Sequence, residues 1–232
     1  MRTLFLAGVL ATALATPAVS AICPDELGDK ALAEAGYDPD APLTHEIKGL
    51  GTFAVPTRFK LSRWVVRGQR VDKDGKPVWA YNLKTIPKKP TSFLRFEFLM
   101  SGNGEDCREP FVVIVSMARG ELADGPTFSA VLLRKLIAGQ NPKVTPVDVG
   151  DGLLRLDGAT NLREPVLMHA YVANGSALRI VDGTDQVPRS TINGLYAERG
   201  WAVDIYFGHS DWKLWRAVLS AIGEHLDQWS VK

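Results

Sequence analysis

His209-Ser210-Asp211 brings together the residue types of a base, a nucleophile and an orienting acid in this 232-residue chain. Acyl transfer needs those groups in contact, with the base bonded to both its nucleophile and its carboxylate. Consecutive side chains point apart, so adjacency in sequence is not that geometry. No Gly-x-Ser-x-Gly elbow accompanies the tripeptide. Both residues also have a plainer use, with Ser210 as the N-cap of a helix and Asp211 at the positive end of its dipole. A small secreted hydrolase with His169 or His209 as base is the second functional reading of the chain.

Metal binding meets similar objections. His209 and Asp211 offer two ligands at a helix start, but His225 lies fourteen residues beyond Asp211, about 21 Å along a straight helix. His169 has the strand parity of Leu167 and Tyr171, which suits a core or edge histidine. The chain contains no His-x₃-His, Cys-x₂-Cys or Asp-rich calcium loop, so neither a metal nor a cofactor is expected. Gly102-Asn103-Gly104 precedes a strand rather than a helix, and so does not set an anion on a helix N-terminus.

The element that must position these groups is the last stretch of the chain. Trp201, Val203, Ile205 and Phe207 alternate as in a strand. Beyond them Trp212, Trp215, Val218, Leu219, Ile222, Leu226 and Trp229 recur at steps of three and four. That spacing makes one apolar stripe of a helix about 28 Å long. A stripe carrying three tryptophans needs a broad apolar floor, and a sheet face supplies one. The tryptophans are therefore expected in the core, with Trp201 and Trp212 the two that offer a ligand groove.

Met1 to Ala21 has the charged start, apolar run and small-residue cleavage site of a secretory leader. Cleavage near Ala21 gives a mature chain from residue 22 to 232, read as one domain and sent to the periplasm or beyond. The run is too short to anchor the chain across a bilayer. Cys23 and Cys107 are the two cysteines, and an oxidising compartment favours their pairing.

Charge is distributed unevenly. The mature chain carries 26 basic and 26 acidic residues, a balance that argues against nucleic acid as a partner. Yet residues 22–46 hold seven acids and one base, while residues 57–95 hold eleven bases and two acids. The basic run includes Arg63, Arg67, Arg70, Lys84, Lys88 and Lys89, the candidate contacts for an anionic partner or a membrane surface. Its plainer use is to meet the acidic N-terminal segment of the same chain.

The remaining elements follow from alternation and turn chemistry. Strands are expected at 63–71 and 78–86, with Trp64, Trp79 and Tyr81 on an apolar face and Arg63, Arg67 and Lys84 opposite. Leu94, Phe96, Phe98 and Met100 share one strand face, and Phe111 to Ser116 reads as a central strand. A helix is expected over 126–138, and a hairpin turns at Asn174-Gly175. The stretch from Asp182 to Gly200, rich in Gly, Asp and Pro, reads as a long loop and a binding rim.

This order of elements resembles the PsbP-like fold and its bacterial exported relatives. Three stretches carry the resemblance: residues 51–56, the hairpin at 170–180, and the closing helix from Asp211. It implies an α+β fold in which a mostly antiparallel sheet is flanked by helices as an α/β/α sandwich, with the C-terminal amphipathic helix packed on the sheet. It also implies a non-enzymatic role. The first functional reading is thus an exported binding or accessory protein for a protein partner or a small apolar or anionic ligand. An immunity or inhibitor protein against a secreted toxin is its special form.

Overall fold

The computed structural model describes residues 22–34, 36–60, 62–65, 79–82, 93–102, 107–120, 144–157, 168–182, 190–208 and 212–232, with 60, 62–65 and 79–82 as backbone alone. The leader at 1–21, the helix at 126–138, and Arg67, Arg70, Lys84, Lys88, Lys89, His209, Ser210 and Asp211 lie outside the described residues.

The chain opens with β1 (Ile22–Cys23) and α1 (Glu26–Glu34). A hairpin of β2 (Pro42–Ile47) and β3 (Gly51–Pro56) follows, then a short 3-10 turn over Thr57–Lys60. Next come β4 (Ser62–Val65), β5 (Trp79–Asn82), β6 (Phe93–Ser101) and β7 (Pro110–Arg119). The second half gives β8 (Thr145–Gly150), β9 (Leu153–Asp157), β10 (Met168–Ala173) and β11 (Ser176–Val181). It closes with β12 (Ser190–Tyr196), β13 (Trp201–Phe207) and α2 (Trp215–Trp229).

Nine strands form one antiparallel sheet in the order β1-β6-β7-β13-β12-β11-β10-β9-β8. Strands make up 55% of the described residues, and helices among them number two. The fold is therefore mostly β, and the α/β/α sandwich expected from the sequence is corrected. Among the described residues, α2 covers one face, and the buried cluster of the other face (Val144, Leu156, Met168, Ala170 and Ala177) contains no helical residue.

The covered face is built by register. Phe96 pairs with Val115, which pairs with Ile205, which pairs with Ile192 and then Ile180. Directly paired residues point the same way, so one apolar row crosses five strands. Over this floor lie Trp215, Val218, Leu219, Ile222, Leu226 and Trp229 of α2, all buried. Burial of a large apolar side chain stabilises by roughly 1.5–3 kcal/mol. The β2–β3 hairpin lies beside the helix, contributing Ile47, Phe53 and Val55 to the same core. Val231 N donates to Thr52 O at 2.9 Å, which ties the C-terminus to β3.

Several local expectations need adjustment. The α-helix begins at Trp215, and Trp212–Leu214 form one tighter 3-10 turn without a side-chain cap at Leu214. In α1 Leu32 is buried and Leu27 is 71% exposed. The stretch from Asp182 to Gly200 contains β12, a full central strand, where a loop was expected. In the β4–β5 pair Arg63 stands opposite Tyr81 and Trp64 opposite Ala80.

Charge asymmetry is partly resolved within the chain. Arg58, from the basic run, pairs with Asp29 at 3.1 Å and Asp40 at 2.7 Å, both in the acidic segment. Burial pushes the Asp29 carboxyl above its usual range, against the pull of Arg58.

Candidate functional site

The strand turns at one end of the sheet and the first half of α2 enclose an open groove of about 250 Å³, lined by Tyr196, Arg199, Trp215, Arg216, Leu219, Ser220 and Glu224. Helical spacing makes its wall. Trp215 and Leu219 turn into the core, while Arg216, Ser220 and Glu224, four residues apart, form an exposed ridge beside them. Ser220 Oγ donates to Glu224 Oε1 at 3.3 Å along that ridge.

The opposite wall comes from the β12–β13 turn, which Gly200 completes at φ +68°. Arg199 reaches across to α2 and grips Asp227 with two nitrogens, at 2.8 and 3.1 Å. Its guanidinium stands over the Trp201 ring at 5.5 Å. Glu198 accepts from the Tyr196 hydroxyl at 2.9 Å and from the Tyr171 hydroxyl at 3.3 Å. Burial, reinforced by Glu198, pushes the Tyr196 phenol up to about 12. Tyr196 therefore remains a donor at any physiological pH.

Arg216 is exposed yet held by three contacts. Its guanidinium lies 4.3 Å from the Trp215 ring centre and 5.3 Å from that of Tyr171. A third restraint comes from Asp151, in the β8–β9 turn, whose carbonyl accepts from Arg216 Nη2 at 2.8 Å. Such stacking leaves most of the guanidinium donors in place and oriented.

The sequence candidates fall elsewhere. Trp201 is 6% exposed and belongs to the core, reaching the groove only through Arg199 above it. Trp212 is half-buried and stacks on His169 with ring centres 3.8 Å apart. Burial, with Arg155 nearby, holds the His169 imidazole below its ordinary value. The side chain of Arg63 is outside the described residues. Cys23 and Cys107 are joined as a disulfide.

His169, a base of the hydrolase reading, and the half-buried Asp204 are on opposite faces of the sheet. His169 pairs with Ile180 and Ile180 with Ile192, on the helix side. Asp204 pairs with Asn193 and Ser116 on the other side. The backbone of the sheet separates them, so this base cannot use that carboxylate. On its own face Asp204 accepts from Asn193 and, at 3.4 Å, from Tyr206. Burial raises its carboxyl above the usual range, and these two donors and Arg95 offset part of that. No group of three or more His, Cys, Asp or Glu side chains arranged for a metal occurs among the described residues. No helix among them is long and apolar enough to cross a membrane.

His225 is the histidine whose position the spacing argument left unexplained. It is 4% exposed and enclosed by Phe59, Phe98 and Trp229, with ring centres 4.7 to 5.0 Å away, and neither nitrogen has a hydrogen-bond partner. Burial lowers its pKa to about 4. The unfolded chain therefore takes up the proton first, near pH 6.5. Stability is complete above pH 6.5 and declines as the pH falls towards 4, by about 3 kcal/mol from this group. His225→Phe removes that decline. Urea unfolding at pH 7 and pH 4.5 should show the wild type losing about 2–3 kcal/mol more than the variant; equal losses would contradict this account.

No family model matches the chain, and no curated protein matches it in sequence. Among solved structures, the chain is similar to Smlt3025, an immunity protein of the Stenotrophomonas maltophilia type IV secretion system. The TM-score is 0.45 and the identity 13%, over 83% of this chain and 94% of that one.

Proposed function

We propose that this chain is an exported, non-catalytic binding protein whose contact surface is the groove between α2 and the β12–β13 turn. The observation that supports it is the rim itself, where Tyr196, Arg199 and Arg216 line one 250 Å³ hollow, with Trp215 buried beneath Arg216. Trp, Tyr and Arg are the residue types that carry most of the binding energy at protein interfaces. Here they are also held before any partner arrives, by Asp151, Glu198 and Asp227. A side chain already ordered loses about 0.5–1.5 kcal/mol less on association than a mobile one. The partner is a protein, and a secreted toxin is the form of partner that makes the chain an immunity protein.

A photo-crosslinking residue placed at Ser220, with a control at Leu27 on α1, tests this in the producing cell. Both positions are exposed. One adduct should form from position 220 and not from position 27. The captured protein, once purified, should bind the wild type at least tenfold more tightly than Ser220→Arg, with thermal unfolding unchanged. The same adduct from both positions, or equal affinity for both proteins, would rule the groove out as the interface.

A further inference from the structure

The second half of α2 is covered by a structure that is not part of the main sheet. Among the described residues the β2–β3 hairpin is a two-stranded sheet of its own, with no ladder to the nine strands. Three of its side chains, Ile47, Phe53 and Val55, enter the core. Thr52 O accepts from Val231 N, and Phe53 bridges to Ser230, so β3 is also tied to the residues just beyond α2. The turn that follows β3 inserts Phe59, whose ring centre is 4.7 Å from that of His225 and 4.8 Å from that of Trp229.

His225 closes this joint from the helix side, with Phe98 of the sheet 5.0 Å away on another flank. Both of its nitrogens are buried without a hydrogen-bond partner. A neutral imidazole tolerates that setting far better than an imidazolium, because a buried charge needs a partner. Among the described side chains none is placed to supply one. Arg58, in the turn, is held by Asp29 and Asp40. Arg95 and Glu97 alternate with Phe96 and Phe98 along β6, which sets them on the opposite face of the sheet. Glu224 and Asp227 of α2 are exposed and bonded to Ser220 and Arg199. β3 has no charged residue, and β2 brings His45, buried opposite Phe53.

We infer that His225 is an acid-sensitive latch, whose protonation releases the β2–β3 hairpin and the Phe59 turn from α2 while the nine-strand sheet stays folded. A loss of total stability in acid does not fix the order of opening; here the hairpin opens first. The helix is the firmer side of the joint, since Trp215, Val218, Leu219, Ile222, Leu226 and Trp229 are all buried on the sheet. The hairpin and turn set against this three buried apolar side chains and the half-buried Phe59. Local opening runs through the element with fewer buried apolar contacts. Once the turn lifts, the imidazolium reaches water.

Native-state hydrogen exchange of the mature protein at pH 7 and pH 4.5, in low urea and corrected for the intrinsic effect of pH, tests the latch. Amides of β3 and of Thr57 and Arg58 should lose protection by about 60-fold between the two conditions. At pH 4.5 they should also exchange at least tenfold faster than those of β7 and β13, and with little dependence on urea. In His225→Phe, which keeps an apolar ring at the joint, they should hold their pH 7 protection at pH 4.5. His225→Leu serves the same purpose should the Phe variant not fold.

Exchange of β3 in step with β7 and β13, at one rate and with the same urea dependence, would mean that the molecule opens as a whole and would overturn the latch. The wild type alone decides that point. Acid loss of protection that persists in the His225 variants would overturn it as well, moving the trigger to another group of the joint such as His45.

Discussion

Replacing Cys23 and Cys107 together by serine should lower the unfolding free energy by roughly 4–5 kcal/mol. The bridge spans 84 residues, and the loop-closure entropy it removes from the unfolded chain grows with the logarithm of that length. Against a typical total of about 5–15 kcal/mol, the loss is a large share of the stability. The native side of the balance adds to it. β1 is two residues long, pairing Ile22 with Met100 and Cys23 with Leu99 along the outer edge of β6. So short a strand has little hold of its own, and without the bridge the edge of β6 stands open to pairing with other chains. Urea unfolding of the oxidised wild type and the double serine variant measures the difference. A change below about 1 kcal/mol would mean that β1 and the β6–β7 connection are held by other contacts. In a reducing buffer the wild type should behave as the variant does.

Gly194→Ala should cost about 3–4 kcal/mol, a large effect for one methyl group. Gly194 sits in the middle of β12, paired with Val203 on one side and Leu178 on the other. Its φ of +133° lies in the region that side chains avoid. A Cβ there would also overlap the carbonyl oxygen of Ala177, a main-chain atom of the neighbouring strand that cannot rotate away. Two penalties therefore add, one for the backbone conformation and one for the clash. Relief of either requires β11 and β12 to separate, and those strands stand between the floor of α2 and the groove rim. Thermal unfolding of Gly194→Ala measures the loss. Gly175→Ala is a useful comparison, because Gly175 has φ +80° while an added Cβ there meets Ala197 only at 3.4 Å. It should show the conformational cost with little of the clash, so equal losses in the two variants would remove the clash from the account.

How far the sequence carries depends on whether a signal is local. The alternation of Leu94, Phe96, Phe98 and Met100 marks one buried strand face, and those four residues are buried as expected. Asn174-Gly175 marks a hairpin, and both residues have positive φ in the β10–β11 turn. The stripe from Trp215 to Trp229 marks the helix that lies on the sheet. In each case the periodicity of one short segment states the face that must be buried. The two cysteines likewise had one simple pairing.

What local pattern does not carry is set by neighbours distant in sequence. Ser190 to Tyr196 contains Asn193-Gly194 and no sustained alternation, so it reads as a loop, yet pairing with β11 and β13 on both sides makes it a central strand. Ladder hydrogen bonds come from the flanking strands and override weak intrinsic preference. Phe59, from a turn more than 160 residues before the helix end, meets His225 and Trp229, so the depressed basicity of that imidazole is a property of the packed core. Arg216 is one of several polar residues beside the helical stripe until Asp151, 65 residues away, accepts its hydrogen bond. Sequence by itself thus determined the segments with a strong internal period and the disulfide, because burial of a repeated face and oxidation of two thiols are local necessities. Tertiary structure alone decided which strands are neighbours, which face of the sheet α2 covers, and that the Asp151 carbonyl holds Arg216. Those outcomes depend on contacts closed across long stretches of chain, and no period within a segment encodes them.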